Sequence, residues 1–180
     1  MEREIKSNLN KILNEISIIS SRSDFKNVDK FISQILQADK IVCVGAGRVG
    51  ISLRAFSKRL KHLGKEAYFI NDEVLPRFGK GDLMIVGSGS GETASILTLA
   101  KKCKEYSTNL IMITTNPSSS IAQISDVCVV LDFQEVESIQ PMTSLFEQTL
   151  YLTLDAIILE LMKIMKVEEI QMRLFHNVFE

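Results

Sequence analysis

Five short apolar runs alternate with helical patterns along this 180-residue chain, and no other feature of the sequence restricts the fold as strongly. The runs are predicted strands at residues 40–44, 66–70, 82–86, 109–115 and 126–131. Each is nearly continuously apolar, as expected when helices cover both faces of a parallel sheet. The pattern predicts an α/β fold: a three-layer α/β/α sandwich with a five-stranded parallel sheet in the flavodoxin-like order 2-1-3-4-5.

Helices are predicted before, between and after the strands. Apolar residues at helical spacing place them at 2–20, 25–37, 48–63, 92–106, 118–123 and 143–165, with a short helix or tail over 167–180. No repeat or linker divides the chain, so we expect one domain. It comprises N-terminal helices (1–38), an α/β core (39–165) and a C-terminal tail (166–180).

Charge and composition exclude several classes of protein. The formal net charge of -1 gives no long-range attraction to nucleic acid or to an anionic membrane. The uncharged stretch 109–125 contains a proline and three consecutive serines and does not read as a membrane span. Three scattered cysteines and two isolated histidines show no metal-ligand spacing. We therefore expect a cytoplasmic protein without a metal, a cofactor, or a nucleic-acid or membrane partner.

A hydroxyl-rich glycine loop follows the third predicted strand and opens a helix. In this loop, Ser88-Gly-Ser-Gly-Glu-Thr93, Gly89 and Gly91 allow close backbone approach, while Ser88, Ser90 and Thr93 supply hydroxyls. A helix N-terminus adds unpaired amides that favour anions, so the loop predicts a phosphate site. It lacks the lysine of a nucleotide P-loop, which argues against a triphosphate with magnesium. The alternative is a serine N-cap with a flexible turn.

A second glycine loop, Gly45-Ala-Gly-Arg-Val-Gly50, follows the first predicted strand. Its spacing, with Asp72 roughly twenty residues beyond, also fits a dinucleotide loop, so NAD binding is an alternative. Arg48 at a position that usually takes a small residue, and the lack of a second domain, argue against it. In a 2-1-3-4-5 sheet both loops meet between strands one and three. Two converging loops indicate a compact ligand with one phosphate.

Several motifs together carry a family resemblance. They are Gly45-x-Gly-Arg-x-Gly50, Arg59-Leu-x-His-Leu-Gly64, Ser88-Gly-Ser-Gly-x-Thr93, Pro141-Met142 followed by Phe146-Glu-Gln148, and Met172-x-x-x-His176-x-x-x-Glu180. In this order the chain resembles the sugar isomerase (SIS) domain family, and within it the 6-phospho-3-hexuloisomerases. That resemblance implies metal-independent conversion of a 3-ketohexulose 6-phosphate to fructose 6-phosphate through an enediol. Val49, Leu75 and Phe175 depart from the usual pattern and leave the sugar open.

The resemblance also implies which residues form the site. Glu147 is the expected base, shielded by Met142, Leu145 and Phe146, and His62 and His176 are expected to open the sugar ring or shuttle protons. Substrate and phosphate binding is expected from Gly47, Arg48, Ser88, Gly89, Ser90, Thr93, Thr143 and Ser144. In the alternative, Glu147 only complements the helix dipole and each histidine only packs.

Two further functions remain open at the level of the sequence. A non-catalytic sugar-phosphate sensor would use the same phosphate loop, and an arabinose 5-phosphate isomerase would share the domain. The N-terminal helices and the long helix at 143–165 carry more apolar surface than one sheet face needs. We therefore expect a homo-oligomer, a dimer or a tetramer.

Overall fold

The sheet has five parallel strands in the order β2-β1-β3-β4-β5, which confirms the predicted topology. The computed structural model describes residues 1–175. Its strands are β1 (Ile41–Val44), β2 (Ala67–Phe69), β3 (Leu83–Gly87), β4 (Asn109–Thr114) and β5 (Val127–Val130). Val44 lies beside Val86, and Gly87 beside Ile113, so the carboxyl ends of β1, β3 and β4 share one edge.

Seven helices accompany the sheet in the described part of the chain. They are α1 (Glu2–Arg22), α2 (Val28–Gln37), α3 (Gly47–His62), α4 (Ala94–Glu105), α5 (Ser120–Ile124), α6 (Ser144–Met165) and α7 (Glu169–Leu174). Each predicted helical segment contains one of them, with ends that shift by a few residues.

Different helices cover the two faces of the sheet. Ile41 and Cys43 of β1 point into a core that α2, α3 and α6 complete, and α1 packs on α6. The alternate residues Val42 and Val44 point into a smaller core formed with α4 and α5. Because both faces are buried, both sets of strand positions are apolar. This explains the continuous apolar runs of the sequence.

The start of α4 and the length of β2 are among the boundaries that differ from those predicted. α4 begins at Ala94, later than the predicted residue 92, because Glu92 turns away and its Oε1 accepts a hydrogen bond from the Ser120 amide at 2.7 Å. β2 is shorter than the predicted run 66–70. The ends of that run still pair with β1, since Ile41 donates to the Glu66 carbonyl and Ile70 donates to the Cys43 carbonyl.

α1 extends beyond the body of the protein. Its first ten residues are all exposed, and Glu15 and Ile19 in its second half are its buried residues. Ile5, Leu9 and Leu13, spaced four residues apart, form an apolar stripe on the exposed part. Among the described residues, no helix is long and apolar enough to cross a membrane.

Candidate active site

Both glycine loops open into one crevice at the carboxyl edge of the sheet. β1 and β3 are neighbours there, so the loop after β1 and the loop after β3 face each other. The cavity between them has a volume of about 620 Å³. Its walls are the two loops, the segment that precedes α6, and the first turn of α6: Ala46, Gly47, Arg48, Val49, Gly87, Ser88, Gly89, Ser90, Thr93, Ile96, Thr115, Phe133, Val136, Ser138, Gln140, Thr143, Leu145, Phe146 and Glu147.

Internal contacts fix the shape of the loop between β3 and α4. The buried Ser88 Oγ accepts a hydrogen bond from the Gly91 amide at 3.1 Å and lies 3.4 Å from Thr93 Oγ1. Gly91 has φ +66°, and a Cβ there would lie 2.0 Å from Ser119 Oγ, so only glycine fits. Thr93 is the N-cap of α4, whose first amides therefore open toward the crevice. The loop thus has the geometry of an anion cradle.

The loop between β1 and α3 packs tightly against its own helix. A Cβ at Gly50 would lie 2.7 Å from the Gly45 carbonyl oxygen, which explains the third glycine of the motif. On the crevice side, a Cβ at Gly47 would meet nothing within 4 Å, so there is open space above the loop. The loop closes one wall of the crevice and leaves room for a ligand.

Arg48 and Glu147 meet across the crevice. Arg48 Nε lies 2.8 Å from Glu147 Oε2, and the side chains are 59% and 12% exposed. Glu147 Oε2 is buried, yet it accepts no well-aligned hydrogen bond from the described residues. The two groups are therefore held together mainly by charge. The Ser52 hydroxyl donates to the Glu147 carbonyl at 3.2 Å and fixes α6 to α3.

Most of the predicted site residues lie together. Glycine loop residues, Arg48 and the base candidate all line the crevice: Gly47, Arg48, Ser88, Gly89, Ser90, Thr93, Thr143 and Glu147. Ser144 does not line it. Its buried hydroxyl donates to the Pro141 carbonyl at 2.8 Å and accepts from Arg48 Nη1 at 2.9 Å, so it orients Arg48 from behind.

The expected shielding of Glu147 is wrong in one respect. Leu145 and Phe146 are buried as predicted, but Met142 is 91% exposed and points to solvent. Met142 and Thr143 both have positive φ, 52° and 64°, and this turn carries the Met142 side chain away from the crevice.

Sequence reasoning missed the segment that walls the crevice before α6. Phe133, Val136, Ser138 and Gln140 line the cavity, and the Phe133 and Phe146 rings lie 6.1 Å apart. The sequence feature that could have revealed this segment was its length, because residues 132–143 lie between β5 and α6 without a helical or strand pattern. Long irregular connections in compact domains are often functional.

His62 lies outside this crevice, at the far end of α3. Arg48 and His62 are separated by about 21 Å along the helix axis, at 1.5 Å per residue. His62 is buried, with Nδ1 3.4 Å from Arg59 Nη1, in a second cavity of about 340 Å³. His176 lies outside the described residues.

The second cavity is rich in charged groups. It is lined by Arg54, Ser57, Lys58, Lys61, His62, Asp72 and Phe175. Asp72 lies here rather than in the crevice, and its Oδ2 accepts a hydrogen bond from the Phe69 amide at 2.9 Å. The carboxylate on which the NAD alternative depends is thus separated from the glycine loops, so the structure does not favour a dinucleotide. Within residues 1–175 no cluster of histidine, cysteine and acidic side chains could hold a metal ion.

Comparison with known proteins agrees with this fold. Residues 34–159, more than half of the chain, match the family model of the SIS domain. The chain therefore belongs to the SIS domain family, which confirms the resemblance carried by its motifs.

Relatives within the family share most of their length with this chain. It is 38% identical over 159 residues to the 3-hexulose-6-phosphate isomerase of Bacillus subtilis (strain 168), covering 84% of this chain and 86% of that protein. It is 35% identical over 168 residues to the 3-hexulose-6-phosphate isomerase of Methanocaldococcus jannaschii, covering 87% and 92%. A Methanococcus jannaschii crystal structure, from which the same function was inferred, has a TM-score of 0.84 at 35% identity over 96% of this chain and 99% of that chain.

Proposed function

We propose that this protein is a phosphosugar isomerase that converts a 3-ketohexulose 6-phosphate to fructose 6-phosphate. The observation that carries the proposal is that an anion cradle and a buried carboxylate face one cavity, at Ser88–Thr93 and at Glu147. One holds a phosphate and the other accepts a proton. Relatives named 3-hexulose-6-phosphate isomerase, at 38% and 35% identity, support the choice of sugar.

In this proposal Glu147 transfers one proton between neighbouring carbons. The carboxylate takes the proton from C2 of the 3-ketose, and the electrons of the broken C–H bond form the C2=C3 bond of an enediolate. The carbonyl oxygen at C3 becomes protonated, and the C2 hydroxyl loses its proton as the C2 carbonyl forms. Glu147 then returns its proton to C3. The proton that the C2 hydroxyl loses equals the one that the C3 oxygen gains, so the step balances without an oxidant or a reductant, and the proposal assigns no part in it to a metal or cofactor.

Arg48 connects the phosphate cradle with the base. Its guanidinium contacts Glu147 in the structure, and a partly exposed guanidinium, which can bond in a bidentate way, is also suited to a phosphate. We expect a bound phosphate to compete with Glu147 for Arg48. Ligand binding would then separate Glu147 from its cation and free the carboxylate to contact the sugar.

His62 fits this reaction only if copies of the chain share sites. His62 is a helix length away from Glu147 within one chain, in a cavity that also contains Phe175. The apolar stripe on α1 and the exposed apolar residues Ile51, Tyr151 and Leu152 near the crevice indicate a surface for a second copy. In the proposed homo-oligomer, the cavity of His62 faces the crevice of a neighbouring copy.

The test of the proposed function is turnover by the wild-type chain and by Glu147→Gln. We expect the wild-type chain to isomerise a 3-hexulose 6-phosphate, and Glu147→Gln to lose about 10²–10⁴-fold in kcat because the amide cannot accept the proton. Fructose 6-phosphate binding, measured by calorimetry, should survive. A screen of pentose, hexulose and heptose phosphates by thermal shift and then by turnover identifies the sugar.

Glu160→Gln is the matched control on the same helix, since Glu160 pairs with Lys163 at the surface. It should retain full turnover. Undiminished turnover by Glu147→Gln would remove this residue from the mechanism. Binding without turnover by the wild-type chain would favour the sensor alternative.

A further inference from the structure

Glu15 is a buried carboxylate in α1 whose hydrogen bonds all go to one irregular segment. Its Oε2 accepts from the Ser138 hydroxyl at 2.7 Å and from Gln140 Nε2 at 3.0 Å, and its Oε1 accepts from the Ile139 amide at 2.9 Å. Within the described residues these three partners are neutral donors. They satisfy both oxygens of a side chain that is only 9% exposed, and such bonds to a charged acceptor are strong.

The segment that Glu15 holds is the strap, which we define as residues 132–143. It begins just after β5 and ends at the N-cap of α6, whose first turn carries Glu147. Five of its side chains line the crevice: Phe133, Val136, Ser138, Gln140 and Thr143. The strap therefore forms a wall of the crevice and sets the approach to the helix that carries the base.

The strap has little regular structure of its own. Glu135, Met142 and Thr143 have φ of 55°, 52° and 64°, a region that is unfavourable for residues with a Cβ. Such conformations persist where surrounding contacts determine them. Among the described residues, the strap bonds to the first turn of α6, which follows it directly, and otherwise to α1 and its C-cap. The contacts on that side are Glu15, the Ser23 hydroxyl that accepts from the Asp132 amide at 2.9 Å, and Arg22 near Asp132.

We propose that Glu15 is a positioning residue, which fixes the strap over the phosphosugar crevice from the N-terminal helix. The proposal rests on the proposed function for its kinetic consequence, but the contact between α1 and the strap exists independently of it. Glu15 does not line the crevice and acts through Ser138 and Gln140, which do. α1 precedes the sheet in the sequence, and through this contact it becomes part of the site.

The test compares Glu15→Gln with Glu4→Gln, an equally conservative change at an exposed carboxylate of α1. A glutamine at position 15 is uncharged and replaces one acceptor oxygen with an NH₂ group, so all three bonds lose their charged acceptor. Hydrogen exchange of the peptide 132–143 in the ligand-free protein should rise about tenfold or more, as expected when a charge-assisted bond is lost. Exchange in β1, β3 and β4 should not change.

Kinetics provide the second readout. We expect Glu15→Gln to raise KM for the sugar phosphate about tenfold, with a smaller change in kcat, because the base itself is untouched. Ser138→Ala should give part of this effect and should add little in the double variant. Unchanged exchange in the strap, or an equal rise throughout the chain, would overturn the proposal. The exchange experiment needs no substrate, so it is decided separately from the proposed function.

Discussion

At the scale of single residues, the ion pair between Arg48 and Glu147 connects α3 with α6 at the crevice. Ser144 donates to a strap carbonyl and accepts from Arg48, so the guanidinium has a fixed support on one side and the carboxylate on the other. A phosphate that binds at the glycine loops must compete with a carboxylate for this cation. Arg48 can therefore couple phosphate binding to the release of Glu147 from its ion pair.

The hydroxyls of the phosphate loop give the first prediction at this scale. Ser88→Ala combined with Ser90→Ala should weaken fructose 6-phosphate binding by about ten- to a hundredfold. The loss has two sources, since ligand donors disappear and the Gly91 amide loses its acceptor, Ser88 Oγ. Calorimetry measures the affinity, and the exposed Ser118→Ala should bind like the wild-type chain. Equal affinity of the double variant and the wild-type chain would show that these hydroxyls do not bind the phosphate.

Sequence could predict that Arg48 and Glu147 share a crevice, but it could not predict that they touch. Strand order brings the loop after β1 and the start of α6 to one edge, and this follows from apolar patterning. Their contact at 2.8 Å depends on how α6 packs against α3, which residue spacing does not specify. The role of Ser144 behind Arg48, and the solvent-directed Met142, depend on the same local turn.

At the scale of elements, the turn between β3 and α4 depends on one glycine. Gly91→Ala places a methyl group against Ser119 in a left-handed conformation, so we expect a loss of about 1–3 kcal/mol in the free energy of unfolding, together with weaker phosphate binding. Gly79→Ala is the control, because a Cβ there meets only the Tyr106 carbonyl at 3.8 Å. Denaturant unfolding measures both. Equal stability of the two variants would show that the turn tolerates a side chain.

The contact between α1 and the strap should also be visible as a dependence of stability on pH. Burial raises the pKa of Glu15. Hydrogen bonds from Gln140, the Ile139 amide and Ser138 together lower it by more, so the net pKa lies below the ordinary value of 4.5. A lowered folded-state pKa gives stability that is present above pH 4.5 and is lost as the pH falls through the folded pKa. The stability difference between wild type and Glu15→Gln should therefore be constant near neutral pH and shrink in acid.

Glu4→Gln should show no such pH-dependent difference from the wild-type chain in the same denaturant titrations. A stability advantage of the wild-type chain over Glu15→Gln that persisted unchanged into strong acid would contradict the assignment.

Apolar patterning predicted α1 as a helix, but it could not identify the contact between α1 and the strap. Glu15 and Ser138 are separated by 123 residues, and nothing in either local sequence marks them as partners.

At the scale of the whole molecule, the exposed apolar stripe of α1 predicts association. Light scattering after size exclusion should give a multiple of 20.2 kDa. Leu9→Glu combined with Leu13→Glu should shift the mass toward one chain, because two charges would lie in an apolar contact. Lys6→Glu, also exposed on α1, is the matched control. A wild-type mass of 20 kDa would exclude the homo-oligomer.

If copies share sites, mixing should restore activity. His62→Ala and Glu147→Gln should each be inactive alone, and together, after subunit exchange, they should recover part of the wild-type turnover. Recovery is expected because some sites in the mixed oligomer contain both wild-type groups. No recovery, in a mixture shown to exchange, would mean that His62 serves the packing of its own chain.

Within one chain, α3 fixes the distance between the crevice and the second cavity. It begins at the glycine loop and ends at His62, so one rigid helix separates the crevice from the second cavity. Inserting one residue within it would advance His62 by about 1.5 Å and rotate it by about 100°. A substitution changes a contact, whereas this change in length alters the angle at which two copies meet. In the proposed oligomer the number of residues in α3 sets the distance between one shared site and the next.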